Sequence, residues 1–179
     1  MTVLVTGAGG LVGAGLSALD GVHGLPRTAL DICDADAVAR ALDAHAPHTI
    51  INAAAFANVD GCERDPARAW RINAGAVDLL AGAARARGIR LLHLSTDYVL
   101  GGAGPRLSVD ASPRPLGVYA RSKRGGEQAA HAHGATVVRV QWVYRLAGSG
   151  FVGRALQQMA LGQSVPLVVD QVGCPTPVG

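Results

Sequence analysis

Short apolar runs alternate along the chain with longer stretches in which apolar residues recur every three or four positions. The short runs are apolar at almost every position, which is typical of strands covered on both faces of a sheet. The longer stretches have the period of a helix. The predicted strands cover residues 2–7, 22–25, 29–32, 48–55, 89–100, 135–144 and 164–169. The predicted helices cover residues 10–21, 35–46, 65–87, 118–132 and 150–161.

Regular alternation of strand and helix predicts an α/β fold with a parallel sheet between two layers of helices. Right-handed crossovers then give a doubly wound, Rossmann-like sheet. Asp34 is the predicted cap of the second helix, and Pro47 follows its end. The 179 residues contain no internal repeat and no linker, so we expect one domain over residues 1–179.

The composition changes this picture little but excludes several classes of function. Apolar residues make up 49% of the chain and charged residues 16%, which argues against disorder. The net charge is +3, but the arginines are scattered and no basic stripe or stacking aromatics indicate a nucleic-acid partner. Solvated helix faces explain the short basic clusters, with attraction of phosphorylated ligands as the alternative. No apolar run predicts a membrane span, so we expect a cytoplasmic protein with no membrane partner.

The cysteines and histidines indicate neither disulfides nor a metal site. Cys33, Cys62 and Cys174 are far apart and odd in number, which favours reduced thiols. His131 and His133 form a His-x-His pair without further flanking ligands, so we interpret them as a surface pair. We therefore expect no metal.

A glycine loop joins the first strand to the first helix. Its spacing is Gly7-x-x-Gly10-x-x-Gly13, whereas the G-x-G-x-x-G fingerprint would need a glycine at the position of Val12. The physical role is the same, because glycines permit a tight turn and let the backbone approach a pyrophosphate at a helix N-terminus. The loop, including Leu11, therefore predicts dinucleotide binding, with a purely structural turn as the alternative.

The end of the second strand bears on which dinucleotide binds. A site for NAD usually has an acidic residue there, whereas this chain has Arg27. An arginine favours a 2′-phosphate, which predicts NADP(H), with NAD(H) as the alternative cofactor. Arg27 could equally be a loop residue in water. Asp31 and Ile32 would border the adenine, although Asp31 could instead mark the entry to a helix.

Tyr119 and Lys123 carry the candidate chemistry. Lys123 is the only lysine of the chain, and residues four apart share one face of a helix. An ammonium beside a phenol is expected to lower its pKa, and such a phenol can protonate a developing alkoxide. Thr96 lies at the predicted carboxyl end of a central strand, where α/β sheets bind ligands, and its hydroxyl could bind a substrate carbonyl. The alternative is an ordinary exposed helix pair.

These motifs together resemble the extended short-chain dehydrogenase/reductases. Within them, "INAAAFANVDGCE", "LSTDYVL", "YARSKRGGE", "VQWVY" and "VVDQVGCPTPVG" look most similar to the dTDP-4-dehydrorhamnose reductase-like, sugar-nucleotide-binding family. The resemblance implies hydride transfer from a nicotinamide to the C4 ketone of a nucleotide-linked 6-deoxyhexose. Open alternatives are a different ketone substrate and a non-catalytic, cofactor-binding regulatory subunit. A homodimer is an assembly compatible with the family.

The resemblance also implies roles for particular residues. Thr96 would polarise the ketone, Tyr119 would protonate its oxygen, and Lys123 would hold the nicotinamide ribose and tune Tyr119. Asn73 would support Lys123, with a buried helix polar group as the alternative, and Trp142 would lie beside the sugar unless it is a core residue. The implied cofactor-binding residues are Gly7, Gly10, Leu11, Val12, Gly13, Arg27, Asp31, Ile32, Ala53, Ala54, Ala55, Asn73, Tyr119 and Lys123. The implied substrate-binding residues are Thr96, Asp97, Tyr98 and Trp142.

The chain departs from the family in two side chains and in length. Leu100 stands where a phenylalanine is usual, and Gln141 stands where a serine commonly precedes the tryptophan. The family normally continues after "PTPVG" into a small lobe that closes over the nucleotide-sugar, whereas this chain stops at Gly179. We therefore expect an NAD(P)-binding domain from which most of the substrate lobe is absent, as a fragment or as a short form.

Overall fold

Five parallel strands form the main sheet of the computed structural model, which describes residues 2–101, 107–146 and 150–178. The strands follow the spatial order β2-β1-β3-β4-β5. A second, two-stranded sheet pairs β6 with β7, also in parallel. The strands are β1 Val3–Thr6, β2 Val22–Leu25, β3 Thr49–Asn52, β4 Arg90–Thr96, β5 Thr136–Val140, β6 Val143–Tyr144 and β7 Thr176–Pro177.

Helices cover the main sheet on both faces. They are α1 Leu11–Ser17, α2 Ala35–His45, α3 Val59–Arg64, α4 Pro66–Trp70, α5 Ala76–Ala86, α6 Val118–Ala132 and α7 Phe151–Ala160. A π-helical turn, Arg71–Gly75, joins α4 to α5, and a 3₁₀ turn, Asp97–Leu100, follows β4. Helices α2, α5 and α6 pack side by side on one face. Right-handed crossovers place α1 on the other face, beside the start of α7, and the predicted doubly wound fold is confirmed.

The core lies between the sheet and the layer formed by α2 and α5. Leu4 and Ile50 on the two central strands are fully buried, and so are Val38 and Leu42 on α2 and Leu80 on α5. Burying such aliphatic side chains contributes about 1.5–3 kcal/mol each relative to leaving them exposed. This core fixes the central strands, and their carboxyl ends carry the loops described below.

Two predicted strands are wrong. Residues 29–32 form turns and loop, so Asp31 does not end a strand; its carboxylate instead accepts from the Cys33 N–H at 3.0 Å. Residues 164–169 form no strand, and Val169 is 97% exposed. An apolar run becomes a strand only where another strand offers it hydrogen-bond partners, and this run meets none among the residues that the structure describes.

Side chains end two strands earlier than predicted. β3 ends at Asn52, whose Oδ1 accepts from the Ala54 N–H at 3.1 Å and turns the backbone away from the sheet. β4 ends at Thr96, whose hydroxyl accepts from the Tyr98 N–H at 3.2 Å. The predicted strand over 135–144 is split between β5 and β6, because Trp142 adopts a left-handed backbone with φ +43°.

The predicted helix over 65–87 is divided into shorter elements. A helix already begins at Val59, capped by the Asn58 side chain, and ends at Arg64. Asp65 then caps α4 by accepting from the Arg68 N–H at 3.0 Å. The helix predicted over 118–132 has the predicted bounds, and Asp34 caps α2 as expected, accepting from the N–H groups of Asp36 and Ala37.

Within the described ranges, the structure contains no helix with the length and apolar character that crossing a bilayer requires. All three cysteines are free. Among the same residues, no three side chains of the His, Cys, Asp and Glu types cluster in a way that could hold a metal ion.

Candidate functional site

The glycine loop packs tightly between β1, β3 and α1. Gly7 has φ +71°, and a side chain there would meet the backbone of Ala53 and Ala54 after β3. A side chain on Gly13 would meet the backbone of Gly7, so the first turn of α1 lies directly against the loop. The Gly10 N–H donates to the Gly7 carbonyl over 2.9 Å. The three glycines therefore have the steric role that the sequence predicted for them.

A cavity of about 240 Å³ lies at the carboxyl ends of β1, β2 and β3. It gathers eight of the residues that were predicted to bind the cofactor. They are Gly7, Gly10, Arg27, Asp31, Ile32, Ala53, Ala54 and Ala55. Leu11, Val12 and Gly13 lie in the first turn of α1 next to this cavity without lining it.

Arg27 and Asp31 lie at one side of this cavity. Their charged groups are 3.9 Å apart, and both side chains are largely in water, with 65% and 47% exposed. The pKa of Asp31 is lowered, mainly by the hydrogen bond from the Cys33 backbone. Such an exposed pair contributes little to stability, so Arg27 can exchange this partner for a phosphate without a large cost.

A second cavity, of about 500 Å³, lies at the carboxyl ends of β4 and β5. It is lined by Val59, Asp97, Tyr98, Gly101, Leu116, Gly117, Tyr119, Ala120, Gln141, Trp142, Asp170, Gln171 and Val172. Three predicted substrate-binding residues, Asp97, Tyr98 and Trp142, are among them. Trp142 is 40% exposed, so it is a cavity wall and not a core residue.

Tyr119 lies in the first turn of α6, facing the end of β4. Its ring packs edge-on against the ring of Tyr98, with centroids 5.7 Å apart. Burial raises the pKa of the Tyr119 phenol, and hydrogen bonding with Thr96 opposes this effect only in part. The predicted lowering of the Tyr119 pKa by Lys123 is therefore wrong in this structure, because burial raises the pKa and the opposing hydrogen bond involves Thr96. The phenol keeps its proton at neutral pH.

Lys123 is buried behind Tyr119. Its Nζ donates to the Leu94 carbonyl oxygen at 2.6 Å and lies 3.5 Å from His93 Nε2. Only 3% of its surface is exposed. Burial lowers the pKa of Lys123 to about 8, although the nearby Glu127 carboxylate favours the charged form. An amine with this pKa changes its protonation state close to neutral pH.

A chain of polar side chains crosses the sheet beneath Lys123. The Thr6 hydroxyl donates to Asn52 Oδ1 at 2.7 Å, and Asn52 Nδ2 lies 3.1 Å from His93 Nδ1. All three side chains are fully buried. The chain connects β1, β3 and β4 to α6, which carries Tyr119 and Lys123.

Glu127 forms a buried ion cluster one turn further along α6. Its carboxylate accepts two hydrogen bonds from Arg139, at 2.7 and 2.8 Å, and one from Arg124 at 2.8 Å. Burial by itself would raise the pKa of Glu127, but these charged donors outweigh it and lower the pKa to about 2. The cluster joins α6 to β5 and keeps a negative charge near Lys123.

Asn73 hydrogen-bonds Phe56 and Ser122. The Phe56 N–H donates to its Oδ1 at 2.8 Å, and its Nδ2 donates to the Phe56 carbonyl and to the Ser122 hydroxyl. Its side chain thus ties the segment after β3 to α6, and no hydrogen bond to Lys123 is formed within the described residues. This matches the alternative that the sequence left open, a buried polar group of a helix.

Sequence reasoning missed Arg68 and His93, and it noted Gln141 only as a departure from the family. Arg68 lines the first cavity and lies 4.5 Å above the Phe56 ring. Gln141 lines the second, where it donates to Asp97 at 2.7 Å and accepts from the Cys174 N–H at 2.6 Å. His93 lies behind Lys123. A polar residue in an otherwise apolar strand was the available signal for His93, whereas nothing local distinguished Arg68.

Comparison with known proteins identifies the family of the chain. The family described as "RmlD substrate binding domain" matches residues 1–179. A dTDP-4-keto-6-deoxy-D-glucose reductase from Streptomyces niveus is 38% identical over 182 residues, covering 97% of this chain and 63% of that protein. A dTDP-4-dehydrorhamnose reductase from Mycobacterium tuberculosis is 42% identical over 188 residues, covering 97% of this chain and 61% of that protein. The chain thus spans less than two thirds of either relative.

Solved structures agree with the sequence relatives. The dTDP-4-dehydrorhamnose reductase of Bacillus anthracis, in complex with NADP, superposes with a TM-score of 0.92 at 31% identity. The match covers 99% of this chain and 67% of that one. A dTDP-4-dehydrorhamnose reductase from Clostridium acetobutylicum superposes with a TM-score of 0.88, also at 31% identity, over 99% of this chain and 66% of that one.

Proposed function

Since the chain belongs to the RmlD substrate binding domain family, we propose that it forms the cofactor-binding part of an NADPH-dependent reductase of nucleotide-linked 4-keto-deoxysugars. One observation carries the proposal. Eight of the predicted cofactor residues and three of the four predicted substrate residues line two cavities, both at the carboxyl ends of the parallel strands, where open α/β sheets bind ligands. Thr96 ends β4, and Tyr119 in the first turn of α6 lines the second cavity.

The first cavity fits a dinucleotide. Gly7 and Gly13 leave the backbone bare where a pyrophosphate needs close approach, and Ala53 and Ala54 present small side chains opposite them. The exposed guanidinium of Arg27 at the rim suits a 2′-phosphate. The same B. anthracis relative binds NADP, which supports NADP(H) for this chain.

Thr96, Tyr119 and Lys123 divide the chemistry among them in this proposal. When bound, the reduced nicotinamide supplies a hydride for the C4 carbonyl carbon. Thr96 hydrogen-bonds the ketone oxygen, and Tyr119 gives its proton to that oxygen as negative charge develops there. The raised pKa of Tyr119 supports this role, because the phenol is protonated at the start of the reaction. Lys123 holds the ribose hydroxyls of the cofactor.

The wall of the second cavity supports the substrate class. Trp142 and Leu116 offer apolar surface to a deoxysugar and a nucleoside, and Tyr98 adds a ring with a polar end. Gln141 connects Asp97 to the segment that contains Cys174, so both sides of the wall are held together. A serine at position 141 would be too short to make both contacts, so Gln141 is the residue of this wall that we expect to shape substrate preference.

The test is NADPH oxidation by the purified chain, with dTDP-4-keto-6-deoxysugars and simple ketones compared at equal concentration. We expect turnover with the nucleotide-sugar and its loss in Tyr119→Phe. Turnover with simple ketones alone would assign the same chemistry to another substrate. NADPH binding without any turnover would favour a cofactor-binding unit without activity of its own. This outcome is tested because the chain spans under two thirds of either relative. Absence of NADPH binding would overturn the proposal.

A further inference from the structure

The lysine amine has two polar neighbours among the residues that the structure describes. The Leu94 carbonyl accepts one of its protons at 2.6 Å, and His93 Nε2 lies 3.5 Å away. What His93 offers to Lys123 depends on which ring nitrogen carries the proton. The hydrogen bonds on the far side of the ring decide this.

Asn52 fixes the tautomer of His93. Its Oδ1 receives two donors, the Thr6 hydroxyl at 2.7 Å and the Ala54 N–H at 3.1 Å. The amide oxygen therefore faces these donors, and the NH₂ group faces His93 Nδ1 at 3.1 Å. Because Nδ1 must accept, the neutral ring carries its proton on Nε2. Burial, with the nearby Lys123 charge, lowers the pKa of His93 to about 3, so the ring is neutral at working pH.

The Nε2–H of His93 consequently points at the amine, and the two groups face each other as donors. We propose that His93 is a positioning residue for Lys123, held by Asn52 in the tautomer whose Nε2 accepts no hydrogen bond from the amine, so that the remaining N–H groups of Lys123 are left for a ligand hydroxyl in the cleft beside Tyr119. A lysine ammonium has three donors, and Leu94 takes one of them.

Packing prevents the His93 ring from rotating away from Asn52 and Lys123. A side chain on Gly126 would meet the Asn73 carbonyl and would lie 3.3 Å from His93 Nε2, so α6 presses directly on the ring. The ring and Asn52 are 0% exposed. His93 therefore cannot turn to water, and Asn52 decides which ring nitrogen carries the proton.

Titratable and charged groups around Lys123 come from three elements. His93 faces it from β4, and Glu127 acts on it from further along α6 and favours the ammonium. Arg139 from β5 and Arg124 from α6 bind the Glu127 carboxylate and weaken that support. The donor from His93 adds to burial in the same direction, towards easier loss of a proton from Lys123.

The inference can be tested on the free protein because Lys123 is the only lysine. Lysine labelled with ¹³C at Cε gives one side-chain signal, whose shift against pH reports the Lys123 pKa. Histidine labelled with ¹⁵N reports the tautomer of His93, identified by its absence in His93→Gln. We expect an unprotonated Nδ1 and a protonated Nε2 for His93, and a Lys123 pKa near 8. The opposite tautomer in the wild-type chain would overturn the inference without any variant.

Asn52→Asp reverses the tautomer. The new carboxylate still accepts from Thr6 and Ala54, but its second oxygen must accept from His93 Nδ1–H, which leaves Nε2 as an acceptor for the ammonium. We expect the Lys123 pKa to rise and NADPH affinity to fall about tenfold, since one donor is then spent on His93. His131→Gln, an exposed change on the same helix, is the control and should alter neither quantity.

The experiments distinguish failure of the proposed function from failure of the role of His93. The last step of the inference, the ligand hydroxyl, rests on the proposed function, whereas the tautomer and the Lys123 pKa do not. If NADPH does not bind the wild-type chain, the proposed function is lost, and the NMR titrations still decide what His93 does. An unchanged Lys123 pKa in folded Asn52→Asp would overturn the role of His93 even where NADPH binding and turnover are normal.

Discussion

The carboxylate of Glu63 caps the helix that carries Tyr119, because the Val118 N–H at the start of α6 donates to Glu63 Oε1 over 2.7 Å. The contact joins α3 to α6 across 55 positions of sequence. Gly117 makes the approach possible, since a side chain there would lie 2.8 Å from the same oxygen. A negative charge at a helix N-terminus is favourable, and this one places the turn that contains Tyr119.

Glu63→Ala is expected to remove this cap and to lower the free energy of unfolding by about 1 kcal/mol, in the range known for lost helix caps. Urea unfolding followed by circular dichroism measures the change. Asp20→Ala, at an exposed turn, is the control and should lie within about 0.5 kcal/mol of the wild type. Equal unfolding midpoints for Glu63→Ala and the control would contradict the capping role.

Tyr119→Phe is expected to reduce turnover by about 10²- to 10⁴-fold, the usual contribution of a positioned general acid, with NADPH affinity nearly unchanged. The ring and its packing against Tyr98 are kept, and only the proton donor is removed. Single-turnover kinetics and fluorescence titration of NADPH separate the two quantities. Tyr144→Phe, outside both cavities, is the matched control. Loss of NADPH binding with turnover preserved would contradict the assignment.

Arg27→Ala is expected to weaken NADPH about 10- to 100-fold and NADH little, because a charge-assisted contact to phosphate contributes roughly 1.5–3 kcal/mol. The difference should shrink at high salt, since Arg27 is exposed and its charge is screened. Isothermal titration with both cofactors measures it, and Arg40→Ala, an exposed residue of α2, is the control. Equal losses for NADPH and NADH would exclude a role in binding the 2′-phosphate.

The lowered pKa of Glu127 predicts how the free energy of unfolding changes in acid. Its pKa is about 2 in the folded chain and near its ordinary 4.5 in the unfolded one. The unfolded state therefore takes up a proton first, so the stability from Glu127 is complete above pH 4.5 and is lost as pH falls towards 2. Urea unfolding between pH 6 and 3 should show a shallower loss for Glu127→Gln than for the wild type. Parallel curves would mean that the carboxylate is not held by its arginines.

A double variant of Glu127 and Arg139 tests whether the two side chains stabilise the protein as a pair. Arg139→Met leaves the Glu127 carboxylate buried with one fewer charged partner, and we expect a loss of about 3–5 kcal/mol. Adding Glu127→Gln to Arg139→Met should recover part of that loss, because the unpaired charge is gone. Arg121→Met, an exposed change on the same helix, should cost little. A purely additive double variant would show that the two side chains are not coupled.

Local sequence patterns predicted the elements whose residues need no distant partner. The end of α6, the cap at Asp34 and the turn at Gly7 all follow from propensities within a few residues. The strands of the main sheet were also predicted, with the bounds of β2 correct and the ends of β3 and β4 placed too late. Asn52 and Thr96 end β3 and β4 through hydrogen bonds of their own side chains, a feature that an apolar run does not reveal.

The run over 164–169 shows the limit of periodicity. Its residues have the composition of a buried strand, but a strand needs a neighbour to satisfy its backbone, and none lies beside it within the described ranges. The π-helical turn at Arg71–Gly75 is a second case, because its Asn73 carbonyl lies where a side chain on Gly126 would be. The periodicity of apolar residues in the sequence does not reveal such close contacts between distant segments.

The sequence by itself determined the α/β class, the glycine loop and the spacing that puts Tyr119 and Lys123 on one helix face, since these depend on residues close together in the chain. Only the tertiary structure decided the proton chemistry of that face. Burial raises the pKa of Tyr119, and the Leu94 carbonyl and His93, some 30 positions away, surround the amine of Lys123. The physical reason is that a pKa depends on desolvation and on neighbours in space, which the linear order of residues does not give.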